Sequence, residues 1–158
     1  MRQERMNQLL EVAERHIQAG RPRRAVFAYR KTLAISTSID WQWEFAQLRL
    51  AEIHLARGQT ELAFAHLLKA NERCSNEPRY AYLLGHILRR LGQPERAIPY
   101  LMTAVEAIRE RTLALVELAY VTADLGDRET ARLLVKSVRQ IEPEHPEINA
   151  AWLYSLDS

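Results

Sequence analysis

The chain has 158 residues, 47% hydrophobic and 27% charged, with 22 Lys and Arg against 20 Asp and Glu for a formal net charge of +2. That length allows one domain with a real core or a short array of repeats, and the even charge balance argues against nucleic-acid binders, whose basic residues dominate and cluster. The single cysteine, Cys74, excludes an internal disulfide and fits a reducing, cytoplasmic setting.

The first stretch, MRQERMNQLLEVAERH, carries charges throughout and lacks the continuous apolar run of a signal peptide. No later window approaches the roughly 20 apolar residues that a membrane span needs. From residue 6 to residue 19 apolar side chains recur at three- and four-residue steps, which predicts a helix. Gly20 ends it, because glycine takes the left-handed C′ conformation cheaply. Pro22 opens a second helix at its first turn, where a missing N–H costs nothing, and Ala25 follows.

The next helix, over 41–57, is preceded by SID, with Asp40 as a good N-cap. Trp41 and Trp43 lie in its first turn; they either pack on the preceding helix or form an exposed aromatic anchor, and packing is preferred because large aromatics are mostly buried. Gly58 closes this helix, Thr60 caps the next, and residues 61–74 continue helically through Ala63. Cys74, with no His at catalytic spacing, reads as a small apolar filler. In the third pair, Gly92 and Pro94 mark the turn and Ala97 the second helix, inside which Pro99 removes a bond to Glu95 and predicts a mild kink. In the fourth, a helix over 112–124 ends at Gly126, Asp127 caps its partner, and Ala131 follows. Beyond Pro146, residues Ile148, Ala151, Trp152 and Leu156 share one face of a final helix. Leu153 and Tyr154 leave its other side only partly polar, a surface that suits self-association.

Gly20, Gly58, Gly92 and Gly126 are each followed five residues later by alanine, and they stand 38, 34 and 34 residues apart. A 34-residue period of helix, glycine turn and helix is the mark of a helical repeat. Gly85 obeys the same rule: its counterparts seven residues before each turn glycine are Ala13, Ala51 and Ala119, all small enough for close helix approach. The first interval is four residues too long, about one helical turn, which predicts that the first helix of the second repeat starts one turn early, at 40–43. The chain is therefore expected to be all-α.

These motifs resemble the tetratricopeptide repeat (TPR) family, whose signature is Trp-x2-Leu-Gly-x2-Tyr, then Ala-x3-Phe, then Pro. The third repeat follows it best, with Ala81-x2-Leu84-Gly85-x2-Leu88 and Ala97-x3-Leu101. The first gives Val12-Ala13 with Ala25-x3-Tyr29, the second Leu50-Ala51 with Ala63-x3-Leu67, and the fourth Leu118-Ala119 with Ala131-x3-Val135 and Pro143. The resemblance implies a right-handed superhelical solenoid of about four helix-turn-helix repeats, over 6–39, 44–77, 78–111 and 112–145, with an inserted turn at 40–43 and a capping helix over 146–156. Together these make one domain, 1–158.

In that family the first helices line a concave, peptide-binding side. Residues 13, 10, 6 and 3 before each glycine share one helical face. Projected there, the expected groove residues are Leu10, Glu14, Phe45, Leu48, Glu52, Arg79, Tyr82, His86, Arg89, Val116 and Tyr120. Leu10, Leu48, Tyr82 and Val116 form an apolar line, with acidic flanks in the first two repeats and basic flanks in the third, which suits a peptide with apolar anchors and flanking charges. Part of the stripe could equally be core between repeats. The Lys/Asn/Arg clamp by which some family members hold a C-terminal carboxylate is absent, since Leu10 and Glu14 stand in its place.

No phosphate loop, nucleophile elbow or H-E-x-x-H motif occurs. His16 and His54 occupy equivalent repeat positions and are read as packing residues, so neither catalysis nor a metal or other cofactor is expected. His86 faces the expected groove and could tune binding with pH. The resulting expectation is a non-enzymatic interaction module that binds a peptide segment of a partner protein, as an adaptor or chaperone-like scaffold. The alternative is a structural protein that assembles with itself through its terminal helices; a weaker one is nucleic-acid binding through Arg79, Arg89 and Arg90.

Overall fold

The computed structural model describes residues 1–73 and 77–157, and Cys74 lies outside them. The described residues form nine α-helices and no strand: α1 (Arg2–Gln18), α2 (Pro22–Ile35), α3 (Trp41–Ala56), α4 (Thr60–Arg73), α5 (Pro78–Arg90), α6 (Pro94–Val105), α7 (Arg111–Asp124), α8 (Arg128–Ile141) and α9 (Ile148–Asp157). They fall into two compact units, Met1–Ser75 with α1–α4 and Asn76–Ser158 with α5–α9.

Within each unit successive helices pair as hairpins, α1 with α2, α3 with α4, α5 with α6 and α7 with α8. One turn makes all four. The glycines at 20, 58, 92 and 126 have φ between 67° and 83°. The N–H of the residue after each glycine reaches five residues back, from Arg21 to the His16 carbonyl (2.8 Å), Gln59 to His54, Gln93 to Leu88 and Asp127 to Thr122 (each 2.9 Å). The glycine N–H bonds the next carbonyl along, completing a Schellman motif that satisfies two otherwise orphaned carbonyls. Pro22 and Pro94 open the second helices where expected.

The alanine rule is a packing rule. Ala25, Ala63, Ala97 and Ala131 are wholly buried, as are Tyr29, Leu67 and Leu101 four residues on. In the first unit Leu10, Ala13, Ala25, Tyr29, Ala46 and Leu50 form one cluster. In the second, Leu115, Ala119, Val135 and Val138 join Ile148 and Ala151 of α9, which covers the last hairpin as the expected capping helix.

Three caps were expected from sequence. Asp127 holds as one, accepting from the Thr130 N–H at 3.0 Å. Thr60 is instead the first residue of α4, its hydroxyl turned back toward the Gly58 carbonyl. Asp40 stands at the N-cap position of α3 but does not cap it. Its carboxylate accepts from the Thr37 N–H (2.8 Å) and from Arg2 and Gln3 of α1, and two charged or amide donors outcompete its own helix. α6 runs unbroken through Pro99.

The early start of α3 is present: the helix has 16 residues, against 13 in α5 and 14 in α7. Its extra turn is stapled to α1. Buried Gln42 donates to Gln3 (2.7 Å) and Asn7 (2.8 Å), beside the Arg2–Asp40 pair. Further along, His54 and His66 stack in parallel with ring centroids 5.4 Å apart. Each holds a glutamine carbonyl through Nδ1, His54 that of Gln59 (2.8 Å) and His66 that of Gln47 (2.7 Å). His54 thus packs within its hairpin, as its repeat position implied.

Candidate functional site

In the first unit the expected face lies on α1 and α3. Leu10 and Leu48 are buried there, while Phe45, Glu14 and Glu52 are partly exposed. The two carboxylates are not free. Arg49 grips Glu14 with two bonds, Nε to Oε1 (2.8 Å) and Nη2 to Oε2 (2.7 Å), and gives Nη1 to Glu52 (2.8 Å). The Tyr29 hydroxyl also donates to Glu14. Burial raises the Glu14 pKa, but these donors win and hold it below the usual carboxylate range. Arg49 was not among the expected residues. Its signal was present: it lies three residues before Glu52 on the same helix and one repeat beyond Glu14.

Beside this ion triad is a concavity of about 690 Å³, lined by Asn7, Leu10, Glu11, Glu14, Arg15, Gln18, Trp41 and Phe45. Trp41 is its wall. Of the two tryptophans, one or both of which were expected to pack, Trp41 is 56% exposed and Trp43 is partly buried. As first residue of the inserted turn, Trp41 meets the Phe45 ring edge-on, centroids 6.2 Å apart at 74°. Leu10, though largely covered, contributes to the floor.

In the second unit the expected residues lie on α5 and α7, and the fold ties most of them to one another. Val116 is buried, Tyr82, His86, Arg89 and Tyr120 are partly exposed, and Arg79 is exposed. His86 Nδ1 is 2.7 Å from Oε1 of buried Glu117. The Arg89 guanidinium donates through Nε to Asp124 (2.8 Å) and lies 3.9 Å from Glu117 Oε2. It also sits over the rings of Tyr120 (4.5 Å) and Tyr154 (5.4 Å). Tyr154, from α9, donates its hydroxyl to Asp124 and meets Tyr120 edge-on at 5.2 Å. Burial, then the charges of Glu117 and Glu147, push the Tyr82 hydroxyl up to about 12. The basic flank expected at Arg89 is thereby largely neutralised. Glu117, Asp124 and Tyr154 were not among the expected groove residues; each is spent on a side chain of a neighbouring helix rather than presented to a groove.

No group of three or more His, Cys, Asp or Glu among the described residues is placed to hold a metal ion, and no described helix is long and apolar enough to cross a membrane.

Comparison with known proteins agrees with this architecture. The sequence profile described as tetratricopeptide repeat matches residues 78–111. The TPR repeat-containing protein MJ1428 of Methanocaldococcus jannaschii is 30% identical over 122 residues, which are 77% of this chain and 21% of that protein, so the chain spans about a fifth of its relative's length. Among solved structures, a MamA protein superposes with a TM-score of 0.85 at 18% identity, covering 98% of this chain and 82% of that one. YrrB, described as a TPR protein with an unusual peptide-binding site, superposes with a TM-score of 0.77 at 22% identity over 93% of this chain and 74% of its own. Four hairpins built on one glycine turn and one buried alanine, with this profile match and these structural relatives, place the chain in the tetratricopeptide repeat family.

Proposed function

We propose that the chain is a non-enzymatic protein–protein interaction module, an adaptor or chaperone-like scaffold of the cytoplasm, that takes a peptide segment of a partner protein on the face of its first helices. The observation that carries this reading is the concavity between α1 and α3, with an exposed indole, a phenyl ring and an aliphatic floor beside polar groups already fixed by ion pairs. Aromatic anchors in a preformed, apolar hollow are the usual seat of binding energy. Trp41, Phe45 and Leu10 make the contact. Leu48 and Val116 support the face from behind. Glu14, Glu52, His86, Arg89 and Tyr120 hold its shape through their pairings. The peptide site described for YrrB lends support by analogy of fold.

The test is selection of peptides from a displayed library, followed by titration of the selected peptides. Trp41→Ala and Phe45→Ala are each expected to weaken binding about tenfold or more, with unchanged helical circular dichroism. Selected peptides that bind both variants as well as the parent would remove the site from α1 and α3.

A further inference from the structure

Two surfaces outside that concavity complement each other. The first lies on α1 and α2, in a groove of about 460 Å³ lined by Leu9, Val12, His16, Arg23, Arg24, Phe27, Ala28 and Lys31. Phe27 is 63% exposed, with the Lys31 ammonium 4.5 Å above its ring. Leu9 and Val12 stand 11 and 8 residues before their turn glycine. Their counterparts Leu115 and Leu118 in α7 are buried, because α6 packs against α7. Leu9 and Val12 are only partly buried.

The second surface is α9 with the link before it. Ile148, Trp152 and Ser155 fall 34 residues after Ala114, Leu118 and Val121, so α9 is in register as the first helix of a fifth repeat. At the small position of that register, occupied by Ala119 in α7, α9 carries Leu153. A leucine there is too large for a second helix to nest closely. Leu153 is 58% exposed and Leu156 40%.

The charges on the two segments are opposite in sign. Residues 15–31 contain Arg15, Arg21, Arg23, Arg24, Arg30 and Lys31 and no acid, whereas residues 141–156 contain Glu142, Glu144 and Glu147 and no Lys or Arg. An apolar groove with a cationic rim and an apolar helix with an anionic approach make a matched pair.

We propose that copies of this chain associate head to tail, α9 of one copy lying on the α1–α2 groove of the next and taking, against α1, the place that α6 takes against α7. The two surfaces differ, so the contact is heterologous: it propagates as a chain or closes as a ring, and is not confined to a symmetric dimer. It leaves the concavity between α1 and α3 outside the contact, so its failure and that of peptide capture are separate results.

Sedimentation velocity from about 5 to about 500 µM protein tests this. The weight-average mass is expected to rise above the 18.3 kDa monomer with concentration, and to fall back as salt is raised from about 50 to about 500 mM. Phe27→Ser and Leu153→Ser, both at exposed positions, are each expected to weaken association roughly tenfold or more. Charge reversal supplies the orientation. R23E with R24E, or E142K with E144K, abolishes self-association, while mixing the two variants restores a complex. A monomer at every concentration overturns the proposal. So does association indifferent to salt and to charge reversal, or association lost with Phe27→Ser but kept with Leu153→Ser, which indicates two α1–α2 faces meeting each other or a different partner surface.

Discussion

Gly85 of α5 faces Leu101 of α6 so closely that a Cβ on the glycine would stand 2.5 Å from the leucine Cγ and 2.6 Å from its Cδ2. Both residues are buried. At the equivalent positions of the other hairpins stand Ala13, Ala51 and Ala119, with Tyr29, Leu67 and Val135 at the position of Leu101. Gly85→Val is expected to destabilise by roughly 1–3 kcal/mol through overpacking. Leu101→Ala alone should cost about 2–5 kcal/mol, and the double variant less than the sum of the two. Urea unfolding of the four proteins measures the coupling; strict additivity would mean the two side chains do not compete for space.

Gly92 sets a different constraint. Its φ is +70°, and a Cβ there would have nothing within 4 Å. The cost of Gly92→Ala is therefore one of backbone conformation, about 1–2 kcal/mol, with Val worse and Asn milder. Chemical denaturation of the three variants should give that order. Equal stability of the Val variant would contradict the left-handed turn.

The histidine stack gives a pH dependence. Burial, then the nearby His54, Lys69 and Arg30, push the His66 imidazole down to about 4 from an ordinary value near 6.5. Above about 6.5 the ring is neutral in both folded and unfolded chains. As pH falls from there toward about 4 the unfolded chain binds a proton that the folded one refuses, so stability declines over that window. His66→Gln should flatten this slope, seen as a smaller shift of the urea midpoint between pH 7 and pH 5. An unchanged shift would assign the slope to other groups.

Arg49 neutralises Glu14 and Glu52 at once. Arg49→Met leaves two carboxylates facing each other, and about 1 kcal/mol of stability should go with it at this partly exposed site. The same substitution in a Glu14→Gln background should cost less, since the uncompensated charge is gone. A double-mutant cycle reads the difference.

The hairpin architecture was legible because its determinants are local and periodic. A glycine with positive φ, an alanine five residues on and a small residue seven before recur in phase, and each has one physical job. The inserted turn was legible as a break in that phase. The candidate site was less so. The period projected Leu10, Leu48 and Val116 onto an apolar line of the expected groove, but it did not tell that neighbouring helices bury them. Charges at groove positions read as flanks for a ligand, yet Arg49, Glu117 and Asp124 consume them within the units. Such pairing depends on helix spacing across a repeat, which one sequence does not encode by position. Asp40 shows the same limit: its local preference for capping lost to Arg2 and Gln3, 38 and 37 residues away in the chain.

The turn bonds in all four hairpins run from backbone to backbone, and the carbonyls they use belong to residues as unlike as His16, His54, Leu88 and Thr122. Side chains at that position are thus released from any duty in reversing the chain. Whole hairpins can be gained or lost in evolution without inventing a new corner, and specificity can drift on the first helices while the hinge between them and their partners stays the same.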